Sequence, residues 1–437
     1  MQEERVSENL LVQIWSRFGR GMLFSNEGRQ MEVIYPGSRN GGRGPDFLDA
    51  IIVAENEELI KGDIELHLRA SDWRAHGHHY DPWYNGVILH IVWYGEETAV
   101  TLQNGKEVPT LALSPRLSLN EVRYRLSQRP EPCYHAVERS GTALGRLLDE
   151  AGEERLRLKA ASFHEMLRRG EAEQALYQGI MRALGYAKNK EQFHKLASSL
   201  PLSTIHDLVR GVGEEERLPM LQALLLGMAG LLPSQRGIGL DGGAAELERL
   251  WHCLGAEAVM SHAEWHLVWV RPGNFPPRRL AAASYFLNRF WGRGLLQSVL
   301  ELVRKGRKGL EAGFMVTAEG YWRWHFDFGR SARDAALIGR GRAQEIVVNV
   351  ALPFALAWAQ LGSQPELERR ALELYRCYPK LGENEITRSM SELLWGEHGA
   401  EVISSAQRQQ GLLHLSHSFC REGKCAQCPL IPLIPPG

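Results

Sequence analysis

Gly62-Asp63-Ile64-Glu65-Leu66-His67-Leu68-Arg69 is the stretch on which the fold of this chain turns. Side chains alternate between the two faces of a strand. Ile64, Leu66 and Leu68 therefore share one face, and Asp63, Glu65, His67 and Arg69 share the other. Upstream, Gly44-Pro45-Asp46 marks a turn entering an earlier strand. Together the two segments can gather two carboxylates and a proton-handling group at one point. The plain alternative is an edge strand with a solvated polar face.

Working outward, the first quarter of the chain has an α/β pattern. Residues 6–18 read as an amphipathic helix with Ser7 as N-cap and Leu10, Leu11, Ile14, Trp15 and Phe18 on one face. Residues 32–35, 47–54, 59–69 and 87–94 read as strands, with 55–58 a polar hairpin connection. Ser71-Asp72-Trp73 can open a short helix before the last of these strands. Residues 116–138 form an Arg- and Pro-containing connector, after which the pattern is helical almost to the end. Helices are expected over 142–169, 171–184, 190–200, 218–229, 243–254, 281–305, 343–361 and 365–377. The expected division is an α/β domain over 1–118, an all-α domain over 119–404 and a Cys-rich loop over 405–437.

Composition narrows the class. The chain has 437 residues, 44% hydrophobic and 24% charged, as expected of a globular protein of two or three domains. A formal net charge of −1 gives no global field for a polyanion or a membrane, so any basic surface must be local. The apolar runs at 218–232 and 346–361 carry Pro219, Gln222 and Pro353 and read as core helices short of a membrane span. Acidic residues precede the first apolar ones, which argues against a signal peptide. Six cysteines do not make a disulfide framework in a chain this long, so a reducing, cytoplasmic location is expected.

Four groups of residues can carry chemistry. In the first, Asp46 and Glu65 can share a hard cation such as Mg²⁺ or Mn²⁺, which lowers the pKa of a bound water. His67 could then deprotonate that water and Arg69 clamp a phosphate. The second is Trp73-Arg74-Ala75-His76-Gly77-His78-His79-Tyr80-Asp81, read mainly as a polar loop over the site mouth. His76, His78 and Asp81 offer an alternative reading as a zinc-dependent small-molecule hydrolase. His90, inside an apolar strand, is expected to be a hydrogen-bonded core histidine.

The third group, residues 265–309, holds nine basic residues against one acid, Glu301, interleaved with Trp265, Trp269, Phe275, Tyr285, Phe286, Phe290 and Trp291. Most of these aromatics fit a core. Arg271, Arg278 and Arg279 are the expected nucleic-acid contacts, with DNA ahead of RNA as the partner. The fourth is Cys420-x4-Cys425-x2-Cys428, a candidate structural zinc or iron–sulfur site. Its fourth ligand is left open among Cys377, His414 and His417, and Cys133 and Cys253 read as ordinary thiols.

Pro45-Asp46 followed by Glu65-Leu66-His67, in a helix–strand–strand–strand–helix–strand order, resembles the PD-(D/E)XK nuclease superfamily. That resemblance implies a restriction-endonuclease-like mixed sheet and metal-binding roles for Asp46 and Glu65. His67 stands where the superfamily has lysine, which is a departure. A second resemblance covers nearly the whole chain, to the bacterial family called domain of unknown function 2851. It is carried by Gly44-Pro45-Asp46-Phe47, Gly62–His67, Ser71-Asp72-Trp73, His76-Gly77-His78 and Tyr84-Asn85. Val87-Ile88-Leu89-His90, Arg271-Pro272-Gly273-Asn274-Phe275-Pro276 and Cys420, Cys425 and Cys428 complete it. The three cysteines also resemble part of the iron–sulfur loop of helix-hairpin-helix DNA glycosylases, with different spacing. The expected function is a metal-dependent nuclease, with a non-catalytic nucleic-acid-binding protein of the same fold as the alternative.

Overall fold

The computed structural model describes residues 7–18, 21–24, 30–40, 42–54, 59–95, 98–113, 141–267, 270–333, 336–395, 402–421, 424 and 427–433. Two compact units emerge. One comprises Met1–Gly152, Glu383–Ile403 and Arg408–Gly437, and the other Glu153–Gly382 with Ser404–Gln407. The C-terminal segment thus falls in the same unit as the sheet. The expected connector over 116–138 and the hairpin connection at 55–58 lie outside the described residues.

The first unit opens with α1 (Glu8–Phe18), whose entry is capped where the Leu10 N–H donates to Ser7 Oγ at 3.2 Å. A mixed sheet follows, built from β1 (Gly21–Phe24), β2 (Gln30–Tyr35), β3 (Ser38–Arg39), β4 (Phe47–Ala54), β5 (Leu59–Arg69) and β6 (Val87–Tyr94). A small hairpin, β7 (Val100–Thr101) and β8 (Glu107–Val108), precedes the last sheet strand, β9 (Thr110–Ala112). The spatial order is β1-β2-β4-β5-β6-β9, with β3 also pairing β4. The pairs from β1 to β5 are antiparallel, whereas β5–β6 and β6–β9 are parallel. The parallel step is made possible by the crossover through α2 (Asp72–Ala75) and two short 3₁₀ turns.

Both faces of β5 are buried at its centre, from Ile64 to His67. Ile64 and Leu66 pack with Leu11, Ile14 and Trp15 of α1 and with Leu89, Ile91 and Leu111 of the neighbouring strands. The opposite, polar face lies in the direction of a second apolar cluster of Trp73, Tyr84, Val87, Val100, Leu102 and Val108. Glu65 is only 6% exposed and His67 only 1%. The solvated-face reading is therefore corrected. The crossover and the β7–β8 hairpin roof over the middle of that face, so Glu65 and His67 must be satisfied inside the protein.

Gly62 shows how tightly this crossover is held. A Cβ at that position would lie 2.3 Å from Ile88 Cγ2 and 2.6 Å from the Gly86 carbonyl oxygen. The Gly62→Ala variant is expected to lose about 1–3 kcal/mol, the usual cost of forcing extra atoms into a packed core. Urea denaturation of the purified variant measures it, and an unchanged midpoint would refute this account of the contact.

The second unit is helical around one large core. Its helices include Ala172–Leu184, Glu214–Met228, Pro276–Arg289, Leu295–Lys305 and Leu352–Leu361. The single helix expected over 281–305 is two, separated at Gly294, whose φ of +82° breaks the helix. The Glu173 carboxylate occupies the space where a Cβ would stand and accepts the Leu296 N–H at 3.1 Å. The two apolar runs lie in helices close to those expected. The segments Glu214–Arg236, which is two helices separated at 229–232, and Arg340–Leu361 match a membrane span by length and composition alone. Most of each is buried in the helical core.

Candidate functional site

The turn into β4 places Asp46. The Asn40 side chain donates to the carbonyls of Arg43 and Pro45 (3.1 and 2.8 Å), and its backbone N–H donates to the Asp46 carbonyl (2.7 Å). The β4–β5 register then shifts between Phe47 and Ala50, with Asp49 at φ +60°. Asp63 holds that irregularity by accepting the Asp49 N–H at 3.1 Å. Asp63 therefore serves the backbone, although alternation alone puts it on the same strand face as Glu65.

Asp46 and Glu65 lock each other across the two strands. The Asp46 N–H donates to Glu65 Oε2 at 2.9 Å, and the Leu66 N–H donates to Asp46 Oδ2 at 3.1 Å. Burial, then the neighbouring Glu65 carboxylate, raises the Asp46 pKa to about 7. Burial likewise raises Glu65 to about 8. Two carboxyl groups that act on each other in a largely buried site favour a bound proton or a bound cation.

His67 does not face solvent as a free base. Its Nδ1 lies 2.9 Å from His90 Nε2, and His90 Nδ1 lies 3.0 Å from Thr110 Oγ1. Burial, then the neighbouring His90, lowers the His67 pKa to about 2; burial, then His78, lowers His90 to about 3. Both imidazoles are neutral at ordinary pH. The other nitrogen, His67 Nε2, lies 3.1 Å from His76 Nδ1 and 3.6 Å from Glu65 Oε1. His90 is fully buried and hydrogen-bonded within the sheet, opposite Glu65 in the parallel β5–β6 register.

The crossover supplies the rest. Gly77 takes φ +76° between His76 and His78, a left-handed conformation that glycine adopts without strain. His76 is solvent-exposed, whereas His78 is buried and stacked on Tyr84 at 3.8 Å. His78 Nε2 is 3.4 Å from Glu65 Oε1 and has no hydrogen-bond partner among the described residues. The donor nitrogens of His67, His76 and His78 all lie within 4.8 Å of one another. The site thus joins Asp46, Glu65 and His67 with two histidines that the sequence reading assigned mainly to a covering loop.

Other expected residues lie elsewhere. Arg69 is exposed at the end of β5, where its backbone N–H donates to Asp72 Oδ2 at 2.9 Å. Asp81 lies near enough to His78 for its charge to act on it, but one of its oxygens caps the Trp83 N–H at 3.0 Å and the other pairs with Arg43. That removes the carboxylate from the expected His76–His78–Asp81 set. Arg278 and Arg279 also require correction as nucleic-acid contacts. Both are buried, and their guanidinium groups donate to the carbonyls of Trp322, His325 and Leu337 and to Asn274. Arg271 is exposed. Elsewhere in the basic stretch, Arg293 and Lys305 both pair with Glu301. Trp265, Phe275 and Phe286 are core residues, and Trp269 lies outside the described residues.

Of the cysteines, Cys428 is buried in a small cluster with Leu144, Leu148, Leu412 and Leu430, against which Cys420 packs. Cys425 and Cys133 lie outside the described residues. Cys377 is exposed and belongs to the helical unit, as does Cys253. A family model described as protein of unknown function (DUF2851) matches residues 8–384. The chain belongs to that family. The matched span includes every residue of the carboxylate–histidine site and stops short of Cys420, Cys425 and Cys428. No curated protein and no solved structure matches the chain.

Proposed function

We propose that this protein is a metal-dependent hydrolase of nucleic-acid phosphodiesters, built on a restriction-endonuclease-like sheet of the PD-(D/E)XK type. The observation that carries the reading is the reciprocal lock between Asp46 and Glu65 at the centre of the mixed sheet. In chain order, α1, the antiparallel-paired strands β1 to β5, the crossover and the parallel strand β6 surround it, two strands more before the crossover than the pattern of the superfamily resemblance has. A divalent cation beside Glu65 would activate a water and neutralise charge on the phosphodiester. Asp46, with its carboxyl raised to about 7, suits proton transfer from that water near neutral pH. Neutral His67 cannot supply a lysine's fixed charge, so that role passes to the metal. Arg69 and Arg74 are exposed cations close in sequence to His67 and His76.

The test is incubation of the purified protein with single- and double-stranded DNA and RNA, supplying Mg²⁺, Mn²⁺ or Zn²⁺ in turn. Cleavage is expected with metal and lost with chelator. Asp46→Asn and Glu65→Gln should each slow it by roughly 10²-fold or more, the usual weight of a proton-transfer group. Undiminished cleavage in both variants would exclude the assignment.

A further inference from the structure

We infer that the metal of this site is a nitrogen-liganded transition ion of the zinc class, held by Glu65, His67, His76 and His78. The inference shares the site of the proposed hydrolase and rests on that reading only for the metal's catalytic purpose.

The spacing of the donors carries it. For bonds of about 2.0–2.1 Å, two ligands on a tetrahedral ion stand about 3.3 Å apart. His67 Nε2 to His76 Nδ1 is 3.1 Å, His78 Nε2 to Glu65 Oε1 is 3.4 Å, and His67 Nε2 to Glu65 Oε1 is 3.6 Å. The nitrogens of the three histidines all lie within 4.8 Å of one another, and Glu65 Oε1 adjoins two of them, His67 Nε2 and His78 Nε2. A separate observation points the same way. His78 is 8% exposed, and its Nε2 faces the Glu65 carboxylate without a hydrogen-bond partner among the described residues. A buried ring nitrogen left in that state is costly unless something accepts its lone pair or its proton.

The surroundings of His67 fit a ligand better than a base. A chain of contacts runs from Thr110 Oγ1 to His90 Nδ1, and from His90 Nε2 to His67 Nδ1. If the His90 Nδ1–H donates to Thr110, His90 Nε2 accepts the His67 Nδ1–H, and His67 Nε2 presents its lone pair to the site. Ligating histidines are commonly fixed this way by an outer hydrogen bond. Three imidazoles and one carboxylate also suit Zn²⁺, Co²⁺, Ni²⁺ or Fe²⁺, whereas Mg²⁺ prefers an all-oxygen shell. Asp46 remains beside this set, with Oδ2 engaged by the Leu66 N–H. His76, the exposed corner, is where the site meets solvent.

Metal content tests this without any substrate. The full chain is stripped with chelator, dialysed against limiting Zn²⁺ in excess Mg²⁺, and assayed for bound metal. A Cys425→Ser background keeps zinc at the C-terminal cysteines out of the count. The expected result is one zinc per chain, replaceable by Co²⁺ with the visible absorption of a four-coordinate ion. His76→Ala alters an exposed side chain, so the variant should stay folded by circular dichroism while losing that equivalent. His90→Leu, which removes the hydrogen-bond partner of the ligand His67, should weaken zinc binding by about 10–100-fold in a chain that stays folded by circular dichroism. Full zinc retention in folded His76→Ala and His78→Ala overturns the inference, as does absence of zinc from the wild-type chain. Cleavage with Mg²⁺ but no zinc binding would leave the hydrolase reading standing alone. Zinc bound as described with no polymer cleaved would do the reverse.

Discussion

Arg278→Glu is expected to unfold the helical unit, with a loss of about 3–5 kcal/mol, the cost of leaving a buried charge without its partners. Arg278 is 1% exposed in the first turn of the helix Pro276–Arg289. Its Nη1 donates to the Trp322 carbonyl at 2.7 Å and to the His325 carbonyl. Trp322 lies in the single turn Tyr321–Trp324, and His325 begins the strand that follows. Carbonyls at the end of a helix have no intrahelical donor and need one from elsewhere. Arg278 supplies it for that corner, while Arg236 grips Asp327 two residues on with two hydrogen bonds. A glutamate there would place a carboxylate against carbonyl oxygens at a position shielded from bulk solvent. Urea denaturation of Arg278→Glu beside Arg271→Glu is the measurement. Arg271 is exposed, and its reversal should change stability by less than about 0.5 kcal/mol. A wild-type midpoint in Arg278→Glu would show that these carbonyls do not depend on the guanidinium.

The same arginines mark a boundary of what sequence can report. A count of positive charge between 265 and 309 is correct as arithmetic, yet it cannot see that guanidinium groups with five N–H donors can be consumed by backbone carbonyls inside a core. The strands were legible for the opposite reason. Alternation over 59–69 and the apolar run over 87–94 are local signals, and β5 and β6 form over those residues. The Asp46–Glu65 pairing was likewise legible, because a turn into one strand and an acid on the next imply a shared edge. The break at Gly294 was missed because apolar spacing continues on both sides of it, and one backbone angle decides the matter.

The histidine group lay between these cases. His76 and His78 stand out in sequence, but their meeting with His67 depends on a left-handed Gly77 and on the crossover placing β6 parallel to β5. Asp81 looked the better partner by proximity along the chain, and Arg43, nearly forty residues upstream, claims it instead. Non-local contacts of this kind leave no periodic trace.

The metal-stripped protein is expected to lose stability as pH rises from about 6.5 to 8. The carboxyl pair is the reason. Folding raises Asp46 from 3.8 to about 7 and Glu65 from 4.5 to about 8. Below about pH 3 both groups are protonated, folded or unfolded, and contribute nothing. Above that the unfolded chain releases its protons while the folded chain keeps them, so stability falls with pH until the folded groups also ionise near 8. The histidines run the other way. His67 and His90 titrate at about 2 and 3 when folded, so the unfolded chain binds extra protons below its own pKa near 6.5, and that penalty disappears as pH rises to 6.5. Between about 4.5 and 6.5 the two effects oppose each other. Above 6.5 only the carboxyl penalty is still growing, by at most about 3 kcal/mol at 1.36 kcal/mol per pH unit and group. Urea denaturation in chelator at pH 6.5 and 8.5 measures the fall. Glu65→Gln should remove most of it, because the neutral amide neither titrates nor repels Asp46. Equal pH slopes in the variant and the wild type would mean that the fall originates elsewhere in the chain. Saturating Zn²⁺ should reverse the trend in the wild type, since a cation that binds the ionised, folded site stabilises it more as protons leave.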